Sequence, residues 1–203
     1  NKKVIWIDAE GTLDTIWAAK LGVDLTKMMV IYPDCGEHAV DMAEAMLKVL
    51  DVSMVVVDSL ASLLPIKQQE ASAFDSHMAL QARLVQDLMN KTTSAIINER
   101  KRGHSVTMLA INQLRSKAGF VMGNPIQMAG GNAVKFHMGV HLRFSNKEIE
   151  GANLRDIKVI THNVHSFTVL KNKSGNSIRS GEFDLIRSDE HPLGTGFIDD
   201  AKT

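Results

Sequence analysis

The sequence predicts an α/β fold: a mainly parallel sheet flanked by helices, with an antiparallel extension toward its C-terminal end. Two observations carry this reading. In the first half, short apolar runs that close on a polar residue alternate with helical patterns. That alternation implies right-handed crossovers and a parallel sheet covered on both faces. In the second half, strand-like segments follow one another with no helical pattern between them, which suggests antiparallel pairing.

The elements follow in order. Val4 to Asp8 is a short apolar run ending in acid, the pattern of a buried parallel strand. Gly11 marks a turn, and Asp14 can cap a helix that runs through Leu21 and stops at Gly22. Met28 to Tyr32 reads as a second strand, with Pro33-Asp34 as its turn. From Glu37 to Leu50, the residues Val40, Ala43, Met46, Leu47 and Leu50 share one helical face. Ser53 to Asp58 is a third strand, again apolar and again closing on Asp. His77 to Lys101 is helical, with Leu80, Leu84 and Leu88 four apart, and Val106 to Asn112 is a fourth strand. Arg115 to Gly131 contains four glycines and one proline with no sustained period, and reads as a long loop. Beyond it, Val140–Phe144, Ile157–Thr161, Phe167–Leu170 and Glu182–Ile186 are expected as strands.

Composition narrows the functional classes. Among 203 residues, 44% are hydrophobic and 23% charged, which excludes wholesale disorder. Lys+Arg and Asp+Glu both number 23, so the net charge is zero and any basic surface must be local. The single cysteine, Cys35, excludes an internal disulfide framework. No apolar run approaches the roughly 20 residues of a membrane span, so no membrane partner is expected and a cytoplasmic location is the default. A strand begins almost at once after Asn1-Lys2-Lys3, with no initiator Met, as expected of a piece of a longer protein.

The chemistry gathers at strand ends. In open parallel sheets, ligands sit at the carboxyl ends of the strands. Three such ends are polar here: Asp8-Ala9-Glu10, Asp58-Ser59 and Asn112-Gln113. An acid after Met54-Val55-Val56-Val57 is the Walker B pattern, whose carboxylate holds Mg²⁺, often through water. Glu10 can serve as a general base that orients water toward a γ-phosphate, and Gln113 can hydrogen-bond that phosphate. Taken singly, each of these polar residues can simply begin a loop. The partner motif of a Walker B acid is a glycine-rich loop carrying Gly-Lys, and no Gly-Lys pair occurs in the chain. His137 and His141 are four apart, but no Glu follows His137 as in H-E-x-x-H and the segment looks partly like a strand; His162 and His165, three apart in a strand region, fall on opposite faces, so both pairs read as surface or packing histidines.

Several longer stretches resemble the RecA family of strand-exchange recombinases. They are Val4–Asp14, Ala19–Asp24, Val56–Ala61, Asp75–Met78, Ile111–Arg115, Gly123–Pro125, Gly130–Phe136 and Lys171–Lys173, in the family's order and with similar spacing. The resemblance implies a RecA-like P-loop ATPase core over residues 1–203. It covers the part after the phosphate loop, with no counterpart of the N-terminal element or the C-terminal domain. It implies ATP and Mg²⁺ as cofactors. It also implies single-stranded DNA and homologous duplex DNA as partners, and self-assembly into helical filaments.

Residue by residue, the resemblance implies that Glu10 is the catalytic glutamate. Asp58 would be the magnesium aspartate, with Ser59 beside it. Asp14 and Trp17 would face the adenine. Gln113 would sense γ-phosphate and begin the second DNA loop, Leu114 to Ala129. Lys171 and Lys173 would reach a neighbouring subunit's ATP; two cations at developing phosphate charge act as an arginine finger does. On the DNA side, Lys67 to Phe74 matches the first loop. Arg83, Arg115, Lys117, Phe120, Met122, Gly130, Gly131 and Asn132 would meet DNA, and Lys135 and Phe136 would pack on the next subunit. Ser116, Ala118, His141, Ser166 and Thr168 depart from the usual residues and mark a diverged member. The full-length protein is expected to be a DNA-dependent ATPase, and this chain alone to be inactive. A RecA-fold motor such as a hexameric helicase is the alternative, against which Gly-Gly-Asn and Lys-Asn-Lys speak; a non-enzymatic DNA-binding module is a third reading.

Overall fold

The computed structural model describes residues 2–49, 51–69, 78–116, 126–150, 160–176, 179–186 and 196–198. The chain divides into two compact units. One comprises Asn1–Ala19 and Val23–His137, the other Lys20–Gly22 and Met138–Thr203.

The first unit is built on a parallel sheet. Its strands are β1 (Lys3–Asp8), β2 (Met28–Ile31), β3 (Val52–Asp58) and β4 (Thr107–Ala110), in the order β2-β1-β3-β4. The register sets Asp8 opposite Asp58 and Val57 opposite Ala110, so three strands close at one level. The helices are α1 (Thr15–Lys20), α2 (Gly36–Val49), α3 (Ile66–Gln69), α4 (Met78–Lys101) and, past the long loop, α5 (Gly131–His137). Helix α2 packs on β1, β3 and α4. Its Val40, Ala43 and Leu47 are buried, as the helical period predicts, with Ala39 beside them; Leu50 lies outside the described residues. Leu84, Val85, Leu88 and Met89 of α4 complete the core.

Coverage of the sheet is less even than expected. On β3, Val55, Val56 and Val57 are all buried, so this central strand is enclosed on both faces. On β1, Ile5 and Ile7 are fully buried while Val4 and Trp6, which alternate with them, are half-buried. The edge strand β4 leaves Leu109 49% exposed.

The long loop is partly structured. Its ends pair as the antiparallel strands β5 (Leu114–Ser116) and β6 (Ile126–Met128), with Leu114 opposite Met128. Residues 117–125 lie outside the described residues. The chain then turns at Gly130 with φ +80° and enters α5. Gly130 is buried, and a Cβ there would stand 2.6 Å from Val85 Cγ1 of α4.

The second unit is an antiparallel sheet of β7 (Val140–Glu150), β8 (Ile160–Asn172), β9 (Ser180–Ile186) and β10 (Gly196–Ile198), in the order β10-β9-β8-β7. One long strand, β8, runs from Ile160 through the expected Phe167–Leu170 strand, so the two expected strands are not separate; residues 157–159 of the first lie outside the described residues. The intervening His162-Asn163-Val164-His165-Ser166 is polar, but cross-strand pairing to β7 and β9 carries it through. Phe183 of β9 stacks on His165 with ring centroids 5.4 Å apart and meets Phe144 edge-on at 6.5 Å. No helix among the described residues is long and apolar enough to cross a membrane.

Gly130→Ala combines a left-handed backbone with a clash against α4. The substitution is expected to cost about 2–3 kcal/mol of stability, read by denaturant unfolding; an unchanged midpoint would contradict the packing described.

Candidate functional site

The site begins with Asp8, the last residue of β1. The residue is 2% exposed, so its carboxyl group requires internal partners. Backbone amides supply them. Oδ1 accepts from the N–H of Glu10 at 3.3 Å, Gly11 at 2.8 Å and Thr12 at 3.3 Å, and Oδ2 accepts from Leu13 at 2.9 Å. The chain is thereby wrapped round the strand end. The Ala9 N–H, donating to the Asp58 carbonyl at 2.7 Å, ties the start of this wrap to β3.

Glu10 emerges from the wrap and faces the ends of the neighbouring strands. One oxygen, Oε1, accepts three bonds: from Ser59 Oγ at 2.5 Å, Ser62 Oγ at 2.9 Å and Gln113 Nε2 at 2.9 Å. Ser59 follows β3, and the 3₁₀ turn Leu60–Ser62 comes next. In such a turn residues three apart eclipse, which brings the Ser59 and Ser62 hydroxyls to 3.2 Å from each other. The Asp58–Ser59 peptide is cis. Gln113 follows β4, whose extension is fixed by bonds from Ile111 N to Val57 O and from Leu60 N to Ile111 O, both 2.9 Å.

Asn112 closes the base of the long loop. Its Oδ1 accepts from Gln113 N at 2.9 Å, and its Nδ2 donates to the Ala129 carbonyl, also at 2.9 Å. One side chain therefore joins the two ends of the loop and holds the backbone of Gln113, the residue whose side chain reaches Glu10.

The structure thus brings together Glu10, Ser59 and Gln113, with Asp58 at the adjoining strand end. Burial first, and then the charges of Glu10 and Asp8, push the Asp58 carboxyl above its ordinary value. Crowded carboxylates of this kind suit a cation. Mg²⁺, which keeps several waters and takes one or two carboxylates with phosphate oxygens, fits the donor set of Asp58 and the Ser59 hydroxyl. Asp14 caps α1, its Oδ1 accepting from Trp17 N at 2.9 Å; Trp17 is half-buried.

The remaining candidates are placed as follows. Arg83 is exposed on α4. Arg115 lies on β5 opposite Gln127, and Asn132 on α5. Gly131, with φ +64°, opens α5, and Lys135 and Phe136 on that helix are exposed, Phe136 by 76%. Lys117, Phe120 and Met122 lie outside the described residues, as does most of the first loop. Lys171 and Lys173 belong to the second unit. Lys171 sits on β8 opposite His141, and the strand ends at Asn172, so Lys173 begins the following turn. His137 Nδ1 lies 3.1 Å from Thr93 Oγ1.

Sequence reasoning missed Ser62, the clamping role of Asn112 and the wrap around Asp8. The Ser59/Ser62 spacing was the available signal for the first. For Asp8 it was an acid directly before a short polar loop, where free amides seek an acceptor.

A family model described as the RecA N-terminal domain matches residues 1–190. The chain belongs to the RecA family. It is 37% identical over 194 residues to Protein RecA of Francisella philomiragia subsp. philomiragia, covering 96% of this chain and 51% of the relative. It is 38% identical over 181 residues to Protein RecA of Frankia alni, covering 89% and 50%. The chain therefore spans about half the length of the curated relatives it matches. Among solved structures, the RadB recombinase shares the fold with a TM-score of 0.57 at 16% identity, over 91% of this chain and 76% of that one.

The raised Asp58 carboxyl has a consequence for stability. A carboxyl held above its unfolded value favours folding fully below that value, 3.8, and loses this contribution as pH rises through the folded value. Asp58→Asn removes the loss. It is expected to raise the melting temperature by about 2 °C at neutral pH and to leave it unchanged at acidity where Asp58 is protonated in both states. Thermal melts at the two pH values check this; a gain of equal size at both would point to packing instead.

Proposed function

We propose that the full-length protein is a DNA-dependent ATPase of recombination and repair. In this reading it coats single-stranded DNA as a filament, holds ATP between subunits and exchanges strands with homologous duplex DNA. The observation that carries the reading is the meeting of Glu10 and Gln113 at 2.9 Å, on strand ends 103 residues apart in sequence, beside Asp58 and Ser59. Family membership supports it.

Glu10 orients the attacking water and takes its proton on the oxygen not engaged by Ser59, Ser62 and Gln113. Asp58, with Ser59, would hold Mg²⁺, which would offset charge on the phosphates. Asp14 and Trp17 contact the adenine. Lys171 and Lys173 act on the ATP of an adjacent subunit, and Lys135 and Phe136 pack between subunits. Arg83, Arg115 and Lys117 meet DNA phosphates, Phe120 and Met122 wedge between bases, and Gly131 and Asn132 approach the backbone; Gly130, buried against Val85, turns the chain into α5 instead.

The direct test is Glu10→Gln in a full-length version that supplies a phosphate loop. Hydrolysis should fall by about 10²–10⁴ while ATP and DNA still bind. In the same assay the 203-residue chain alone, which has no Gly-Lys pair, should turn over no ATP. Normal turnover by either protein would remove the assignment.

Gln113 links nucleotide to DNA in this reading. A γ-phosphate that captures its amide draws it from Glu10 and pulls on the start of the β5/β6 loop. One hydrogen bond to a charged group is worth about 1.5–3 kcal/mol per subunit. Gln113→Ala should keep ATP affinity and abolish the rise in single-stranded DNA affinity caused by a non-hydrolysable ATP analogue. Fluorescence anisotropy at fixed salt reads this, and an undiminished analogue effect would send the signal by another route.

A further inference from the structure

We infer that Ser62 is a positioning residue for Glu10, and that Gln81 makes it answer to helix α4, giving the hydrolytic site a second input from the DNA-facing side. The inference rests on Glu10 being the base. It starts from two groups of hydrogen bonds that share the turn after β3. Ser62 Oγ donates to Glu10 Oε1 at 2.9 Å and lies 3.2 Å from Ser59 Oγ, which donates to the same oxygen. These hydroxyls and the Gln113 amide occupy Oε1, so the other oxygen is the one presented for proton transfer.

The turn itself is held from α4. Gln81 Nε2 donates to the Ala61 carbonyl at 2.9 Å and to the Leu63 carbonyl at 3.3 Å. These are the carbonyls on either side of Ser62, and both partners are acceptors, so the amide must present its nitrogen. Ser62 cannot shift without loading this pair of bonds, and α4 cannot shift without moving Ser62. Arg83, two residues on, lies about 200° round the same helix and is exposed. A phosphate held by Arg83 and a carboxylate held by Ser62 therefore act on one rigid element from opposite sides. This route is separate from the one through Gln113, which lies past the end of β4 and leads directly into β5 of the loop.

The test uses the full-length protein, with hydrolysis measured with and without an oligo-dT strand. Ser62→Ala should lower kcat about threefold without DNA and about tenfold with it, with KM for ATP within about twofold, and Ser62→Thr, which keeps the hydroxyl, should restore most of the rate. Gln81→Met, near in size but without the donor, should leave DNA affinity and DNA-free hydrolysis unchanged and lower only the DNA-stimulated kcat, by about threefold. In a Ser62→Ala background Gln81→Met should add no further loss, because it acts through the hydroxyl. A normal kcat for Ser62→Ala beside a slow Glu10→Gln overturns this inference alone. Losses that multiply in the double variant overturn the Gln81 link. Normal turnover by Glu10→Gln removes the reading of Glu10 and this inference with it.

Discussion

The buried carboxyl group of Asp8 is the constraint on which the site depends. A carboxylate at 2% exposure is tolerable only with its lone pairs filled, and here four consecutive backbone amides fill them. Satisfying Asp8 and turning the chain are the same event. The amides of residues 10–13 can reach it only if the backbone curls over the end of β1, and that curl points Glu10 across β3 toward β4. The parallel register then does the rest, because Asp8, Asp58 and the residues after Ala110 arrive at one level.

Three donors on one carboxylate oxygen make Glu10 a point of convergence. Ser59 and Ser62 come from the turn after β3, and Gln113 from the end of β4. A carboxylate oriented by fixed donors has little freedom left to lose, which is what the base proposed at Glu10 would require. Asp58, in the same neighbourhood, bears the cost: its burial first, and then the charges of Glu10 and Asp8, push its carboxyl upward.

Much of this was legible in the residues. The strands of the first unit announced themselves as apolar runs closing on Asp8, Asp58 and Asn112, and the period of α2 named its buried face. Glu10, Asp58 and Gln113 could be listed as candidates because ligand sites gather at strand ends. The parts that were not legible depend on contacts between residues far apart in sequence. The pairing of Leu114 with Met128 spans a segment without period, so β5 and β6 read as loop. Helix α5 is seven residues long and begins at a glycine, too short to declare a period. Strand β8 was split in two because its polar centre has no apolar alternation of its own and is carried by its neighbours. Gly130 suggested a backbone left open for phosphate, and its buried contact with Val85 could not be read from spacing.

The zero net charge sharpens the functional argument. A chain with as many acids as bases gains little from bulk attraction to a polyanion, so the DNA affinity proposed for it requires local groups brought into place together. Both segments proposed to carry such groups are tied to Glu10 by short links: the loop through Gln113 and Asn112, and α4 through Gln81 and the Ser62 turn. Each link is a hydrogen bond or two, and a bond to a charged group worth about 1.5–3 kcal/mol shifts an equilibrium roughly ten- to a hundredfold. Links of that size are large enough to bias whether DNA-facing groups are aligned, and small enough to be exchanged for a phosphate contact. A protein that bound DNA by bulk charge would hold it whatever the state of its nucleotide. One that assembles its DNA contacts through the same hydrogen bonds that hold its base can grip and release.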